Sequence, residues 1–144
     1  MDLRGFISLC EKEGELKRVK PEVDWELEIS HIAKFVEEKS GPALLFENVK
    51  GYKSPVLTGA FGTTKRLAII LGKSAGLSMV QLTKEWVNVA VKEVIRAKEQ
   101  KEGPIFENIL DGDKVNTFAF PSPKFYELDG GRYFGTAVFM VLQD

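Results

Sequence analysis

Apolar residues first recur at Leu3, Phe6, Ile7 and Cys10, the i, i+3, i+4, i+7 spacing of one helical face. Asp2 is a good N-cap for that helix and Gly14 a good stop. A short strand over Leu16 to Val19 follows, closed by Pro21. Asp24 then opens a second helix with Trp25, Ile29, Ile32, Ala33 and Val36 on one stripe. Glu26, Lys34, Glu37 and Glu38 lie largely off that stripe. Ser40-Gly41-Pro42 ends it, because glycine tolerates a left-handed cap and proline disfavours helix in the residue before it. Ala43-Leu44-Leu45-Phe46 predicts a compact buried strand, and Pro55 to Gly59 a third one after a Gly51-Tyr52 turn.

Thr63 or Thr64 caps a short helix through Arg66, Leu67, Ile70 and Leu71, ending at Gly72. Ser78 caps a longer one, with Leu82, Trp86, Ala90, Val94 and Ala97 on its apolar face and Glu85, Lys92, Glu93 and Arg96 on its polar side. After Gly103 the pattern breaks into short apolar pieces punctuated by Pro104, Gly112, Pro121, Pro123 and Gly130-Gly131. Beyond the Asp129-Gly130-Gly131 turn lies a run dense in Ala, Val, Phe and Met that stops at Asp144. A strand that apolar needs cover on both faces. The expectation is therefore the front part of something larger: an α/β domain over residues 1–103, then a linker and the first strand of a β-rich domain over 104–144. Gly41-Pro42…Phe46-Glu47-Asn48 echoes Gly103-Pro104…Phe106-Glu107-Asn108, but the spacing differs and nothing else aligns.

The 144 residues suffice for a hydrophobic core, and acidic and basic groups nearly cancel to a net charge of −1. Nucleic acid and anionic lipid are poor partners for such a surface, and Lys17-Arg18-Lys20 and Lys65-Arg66 suggest short solvated patches. Cys10 is the only cysteine, which excludes an intramolecular disulfide and a thiolate metal cluster within one chain. With no signal pattern at the N-terminus and no apolar stretch near the ~20 residues of a membrane span, a soluble cytoplasmic chain is expected.

Chemistry is sparse. Gly72-Lys73-Ser74 resembles the end of a phosphate loop, but position 67, where that loop needs glycine, is Leu67. Gly59-Ala60-Phe61-Gly62 lacks the spacing of a dinucleotide fingerprint. His31 is the sole histidine and suits a surface or packing role on its helix. The pairs Glu37-Glu38 and Glu26/Glu28 suit solvated helix faces better than acid–base work. Phe120-Pro121-Ser122-Pro123-Lys124 is stiff and extended, either a spacer between domains or a rigid wall beside a site.

In order along the chain, Asp2-Leu3-Arg4-Gly5-Phe6, Gly14-Glu15-Leu16, Asp24 with Glu26-Leu27-Glu28-Ile29, the run Gly41 to Tyr52, Pro55-Val56-Leu57 and Gly59…Phe61-Gly62 resemble the N-terminal domain of UbiD-type decarboxylases. Phe120-Pro121…Pro123-Lys124 and Asp129-Gly130-Gly131-Arg132-Tyr133-Phe134-Gly135-Thr136 resemble the lead into that family's central flavin-binding split barrel. The resemblance implies a reversible, non-oxidative decarboxylase of aromatic or α,β-unsaturated carboxylic acids. It implies prenylated FMN, made by a UbiX-type prenyltransferase, with a divalent metal (typically manganese) and potassium. In such enzymes the cofactor carries the difficult chemistry and the protein positions it.

The family's metal-binding Asn and cofactor-flanking Arg would fall just beyond Asp144, and its metal-binding His and Glu, catalytic Glu residues and oligomerising C-terminal domain later still. No catalytic or metal-binding residue is therefore expected within the chain, and Thr136 alone is expected beside the cofactor, matching a threonine on the first barrel strand. The chain alone is expected to be inactive, and the full-length enzyme a homo-oligomer. An alternative is a stand-alone, non-catalytic subunit that adds a strand bearing Val138, Phe139, Val141 and Leu142 to a partner's sheet edge. A binding domain outside the family is the remaining reading.

Overall fold

The computed structural model describes residues 2–92 and 101–133. A three-stranded sheet of order β1-β2-β3 forms its centre. The first helix, α1 (Leu3–Lys12), begins where the Gly5 N–H donates to Asp2 Oδ1 at 2.8 Å and is followed by Gly14 at φ +71°, as the pattern predicts.

Strand β1 (Leu16–Val23) runs further than predicted. Pro21 does not close it: the register jumps from Val19↔Phe46 to Glu22↔Asn48, so β1 carries an extra residue there. A bulge on an edge strand accommodates a residue that has no N–H to donate. Strand β2 (Ala43–Val49) pairs parallel to β1 and antiparallel to β3 (Val56–Thr58).

Helix α2 (Glu28–Glu37) crosses between the parallel strands and starts four residues later than its expected N-cap at Asp24. The backbone before it is engaged elsewhere. Asp24 Oδ1 accepts from the Glu26 N–H at 3.0 Å, the Asp24 N–H donates to Glu28 Oε2 at 2.6 Å, and Leu27 sits at φ +65°. The stop also differs from expectation. Ser40, at φ +51°, takes the left-handed position, while Gly41 is required for space. A Cβ on Gly41 would lie 2.6 Å from Val36 Cγ1 and 3.0 Å from the Val36 carbonyl oxygen.

Helix α3 (Thr64–Ile70) starts where Thr63 Oγ1 accepts from the Arg66 N–H, and Gly72 at φ +66° follows its end. Helix α4 (Met79–Lys92) has Ser78 as its cap, with the Gln81 N–H donating to Ser78 Oγ at 3.3 Å. Its expected apolar face is only partly buried. Leu82 is covered, whereas Trp86 is 54% exposed. Val94 and Ala97 lie outside the described residues, as does the predicted strand after Thr136. Short 3-10 turns at Pro104–Phe106, Gly112–Lys114 and Thr117–Ala119 carry the chain onward.

Two apolar clusters sandwich the sheet. Phe6, Cys10, Leu16, Ala43, Leu45 and Ile69 join α1 and α3 to one face. Val23, Ile29, Leu44, Phe46 and Val49 join α2 to the other. The period of two in β2 places Ala43 and Leu45 on one side and Leu44 and Phe46 on the other, so the strand reads as one unbroken apolar run.

Gly41→Ala is expected to lower the unfolding free energy by about 1–3 kcal/mol, because a stiff β-branched side chain and a backbone carbonyl must both yield. Urea unfolding checks this, with Gly76→Ala as the control. A Cβ there meets only Ser74 Oγ at 3.7 Å.

Candidate functional site

Two polar assemblies stand out, and both are built around an arginine. Arg66 lies at the third position of α3, in phase with Ile69, and is 1% exposed. Its Nη1 donates to Glu15 Oε2 at 3.1 Å and to the Gly41 carbonyl at 2.9 Å. Glu15 accepts from Thr63 Oγ1 at 3.4 Å and pairs with Lys65 Nζ at 3.3 Å through its other oxygen. The knot ties the starts of β1 and β2 to α3. Gly62 makes room for it, since a Cβ there would lie 2.8 Å from Arg66 Nη2.

Beside the knot opens a groove of about 490 Å³, lined by Glu15, Phe61, Gly62, Thr63, Lys65 and Met79 among others. Its one acidic group, Glu15, has both oxygens engaged by cations, so it is poorly placed to act as a base. The Arg66 Nε is buried without a hydrogen-bond partner in the described structure. The sequence suggested a solvated Lys65-Arg66 patch, and burial of Arg66 corrects that for one of the two. The available signal was its helical phase with Ile69 and Ile70.

The second assembly lies at the carboxyl ends of the parallel strands. Trp25 follows β1 and Tyr52 follows β2, so these loops emerge side by side. Arg132 reaches both. Its guanidinium lies 4.4 Å from the Trp25 ring centroid and 4.8 Å from that of Phe118, and its Nη1 donates to the Tyr52 hydroxyl. Nearby, the Lys124 N–H donates to the Trp25 carbonyl at 3.0 Å, and the Leu27 N–H to the Lys124 carbonyl at 3.2 Å. Ser122, buried, donates to the Tyr133 carbonyl at 2.7 Å. Pro121-Ser122-Pro123 thus leads directly into the Lys124 rung on the platform and lines none of the described pockets.

Asp24 anchors the first of these loops. Its Oδ2 accepts from Lys50 Nζ at 2.8 Å, and that bond, with the Glu26 N–H, holds its carboxyl below the ordinary range. Arg18 bridges Glu11 and Glu47 on the exposed side of β1 and lowers the Glu11 pKa.

The other sequence candidates stay apart. His31, Glu28 and Glu37 are exposed on α2, and Glu26 and Glu38, which flank it, are exposed too. Glu28 bonds the Asp24 N–H, so it does more than solvate a face. Gly72-Lys73-Ser74 is a helix-ending turn, with the Lys73 N–H donating to the Ala68 carbonyl at 2.8 Å. Thr136 lies outside the described residues. Among the described residues no group of three or more His, Cys, Asp or Glu side chains could hold a metal ion, and no helix is long and apolar enough to cross a membrane.

These features define a small α/β platform with a segment docked at the carboxyl end of its parallel strands. The chain belongs to the UbiD family: residues 7–86 match the 3-octaprenyl-4-hydroxybenzoate carboxy-lyase N-terminal domain. It is similar to the vanillic acid decarboxylase of Sedimentibacter hydroxybenzoicus in open form with truncated ShVdcD, with 32% identity and a TM-score of 0.82 over 91% of this chain and 29% of that one. The closed form gives the same identity and TM-score, covering 91% of this chain and 28% of that one. An evolved dimeric form of the UbiD-class enzyme HmfF from Pelotomaculum thermopropionicum, in complex with prFMN, is 28% identical with a TM-score of 0.74, over 90% of this chain and 29% of that one. The chain therefore spans less than a third of the length of these structures.

Glu15→Gln is expected to cost about 3 kcal/mol in urea unfolding, because it strips the charge partner from a buried guanidinium. The double replacement Glu15→Leu with Arg66→Met recovers most of that loss. The Asp24 tie has a pH signature. A carboxyl whose folded pKa is depressed adds stability above its unfolded pKa and loses it as pH falls through the folded value. Thermal stability should therefore decline below about pH 4, and Asp24→Asn should flatten that decline.

Proposed function

We propose that the chain is the N-terminal portion of a UbiD-class carboxy-lyase that decarboxylates an aromatic or α,β-unsaturated carboxylic acid, reversibly and without net oxidation. The observation that carries this reading is the family match over residues 7–86, supported by 32% identity across 91% of the chain to a vanillic acid decarboxylase. Residues 1–103 then form the N-terminal α/β domain, and residues 104–144 lead into a flavin-binding split barrel with Thr136 beside the cofactor. The similar HmfF structure in complex with prFMN supports prenylated FMN as that cofactor. A UbiX-type prenyltransferase would supply it, the enzyme would work in the cytoplasm, and the full-length protein would be a homo-oligomer.

Prenylated FMN, when bound, supplies the electron-accepting chemistry of the reaction. The described residues do not fit the implied manganese and potassium, since they bring together no three-donor cluster. On this reading those ions are held by groups outside the described residues. What this chain contributes is position: an α/β platform and a segment docked on it by Arg132 and Lys124.

The purified 144-residue chain, given prenylated FMN, Mn²⁺, K⁺ and a panel of aromatic and unsaturated acids, is expected to release no CO2. A polypeptide continuing through the complete barrel and its ligand residues is expected to release it. Release by the short chain alone would put the catalytic groups among these residues and overturn the assignment.

A further inference from the structure

The sequence singles out two unusual motifs, Pro121-Ser122-Pro123 and Asp129-Gly130-Gly131, and the fold brings their ends together. Ser122 is 5% exposed and holds the Tyr133 carbonyl across eleven positions of chain. The loop between them is thereby closed on itself. Arg132 then fastens the closed loop to the platform, stacked between Trp25 and Phe118 and bonded to Tyr52. Arginine suits this place because a planar guanidinium stacks on rings and donates in its plane at the same time. Lysine would keep the charge and lose the stacking geometry.

We propose that Arg132 is a positioning residue: its contact with Trp25 and Tyr52 fixes where the chain leaves the platform toward Thr136. Chain reach makes the case quantitative. Thr136 is four positions beyond Arg132 in sequence, so a held Arg132 limits its reach to about 14 Å from the latch. With Arg132 and the Ser122 clasp released, the nearest backbone hydrogen bond to the platform is the Lys124 rung. Thr136 is twelve positions beyond Lys124, and the reach grows to about 43 Å. The proposal depends on the functional reading above only for what Thr136 does once placed.

A distance measurement tests it without any flavin. The chain has two tryptophans, so Trp86→Phe leaves Trp25 as the sole indole donor. Thr136→Cys accepts a naphthalene label, and Cys10 does not compete, being fully buried with burial pushing its thiol pKa up. Energy transfer from Trp25 to the label is expected to be efficient in this background. Because the Ser122 clasp still holds Tyr133, Arg132→Ala alone should lower it modestly, Arg132→Lys should fail to restore it, and combining Arg132→Ala with Ser122→Ala should cut it about twofold, below Ser122→Ala alone. Tyr52→Phe, which removes the hydrogen bond and keeps the ring stack, should cost less than either Arg132 change.

Far-UV circular dichroism shows whether each variant keeps the platform. If Arg132→Ala fails to fold, Arg132→Lys and Tyr52→Phe carry the comparison. Equal transfer in Ser122→Ala with and without Arg132→Ala overturns the latch. Because no cofactor enters the experiment, that failure is separate from failure of the decarboxylase assignment, which CO2 release reports.

Discussion

Four consecutive side chains of β2, Ala43 through Phe46, are buried, and they point alternately to opposite faces of the sheet. One helical layer cannot cover both faces, so α1 and α3 pack on one and α2 on the other. At about 1.5–3 kcal/mol for each large side chain, their burial is among the largest favourable contributions in the domain. Parallel pairing of β1 with β2 follows from the α2 crossover between them. It also places the loops bearing Trp25 and Tyr52 at the same end of the sheet, where a segment from far along the chain can touch both.

The two arginines divide the labour at opposite ends of that sheet. Arg66 sits where β1 and β2 begin and holds Glu15, the Gly41 carbonyl and α3 in one knot. Its burial leaves no mobile charge for chemistry. Arg132 sits where the strands end, is only partly buried, and joins residues distant in sequence. Arg66 closes the domain on itself, and Arg132 fastens the C-terminal segment to it. Neither is arranged as an acid, a base or a nucleophile. Among the described residues the two arginines thus do structural work.

Much of this was legible along the chain. The first helix, the buried β2 run and the caps at Asp2, Thr63 and Ser78 each rest on local signals: apolar period, capping side chains, glycine at a left-handed turn. The misreadings arose where distant chain competes with local preference. Asp24 looked like a helix cap, but the backbone of residues 25–27 is taken by Lys124, about a hundred residues onward, and α2 starts late. Pro21 looked like a strand end, but on an edge a bulge lets β1 continue. Gly41 was rightly marked, yet the reason is contact with Val36, which no single-position rule reveals. The motifs holding Ser122 and Arg132 were marked, but not what these side chains do, because a stack on Trp25 and a bond to a distant carbonyl leave no periodic trace in sequence.

Reading the coding frame past the Asp144 codon tests the central claim most directly. The account predicts continuation into an Asn followed a few residues on by an Arg, with metal-binding His and Glu residues later and a complete flavin-binding barrel around them. A frame that runs on into an unrelated domain, or stops with no flavin-binding chain encoded beside it, would contradict the assignment to a decarboxylase.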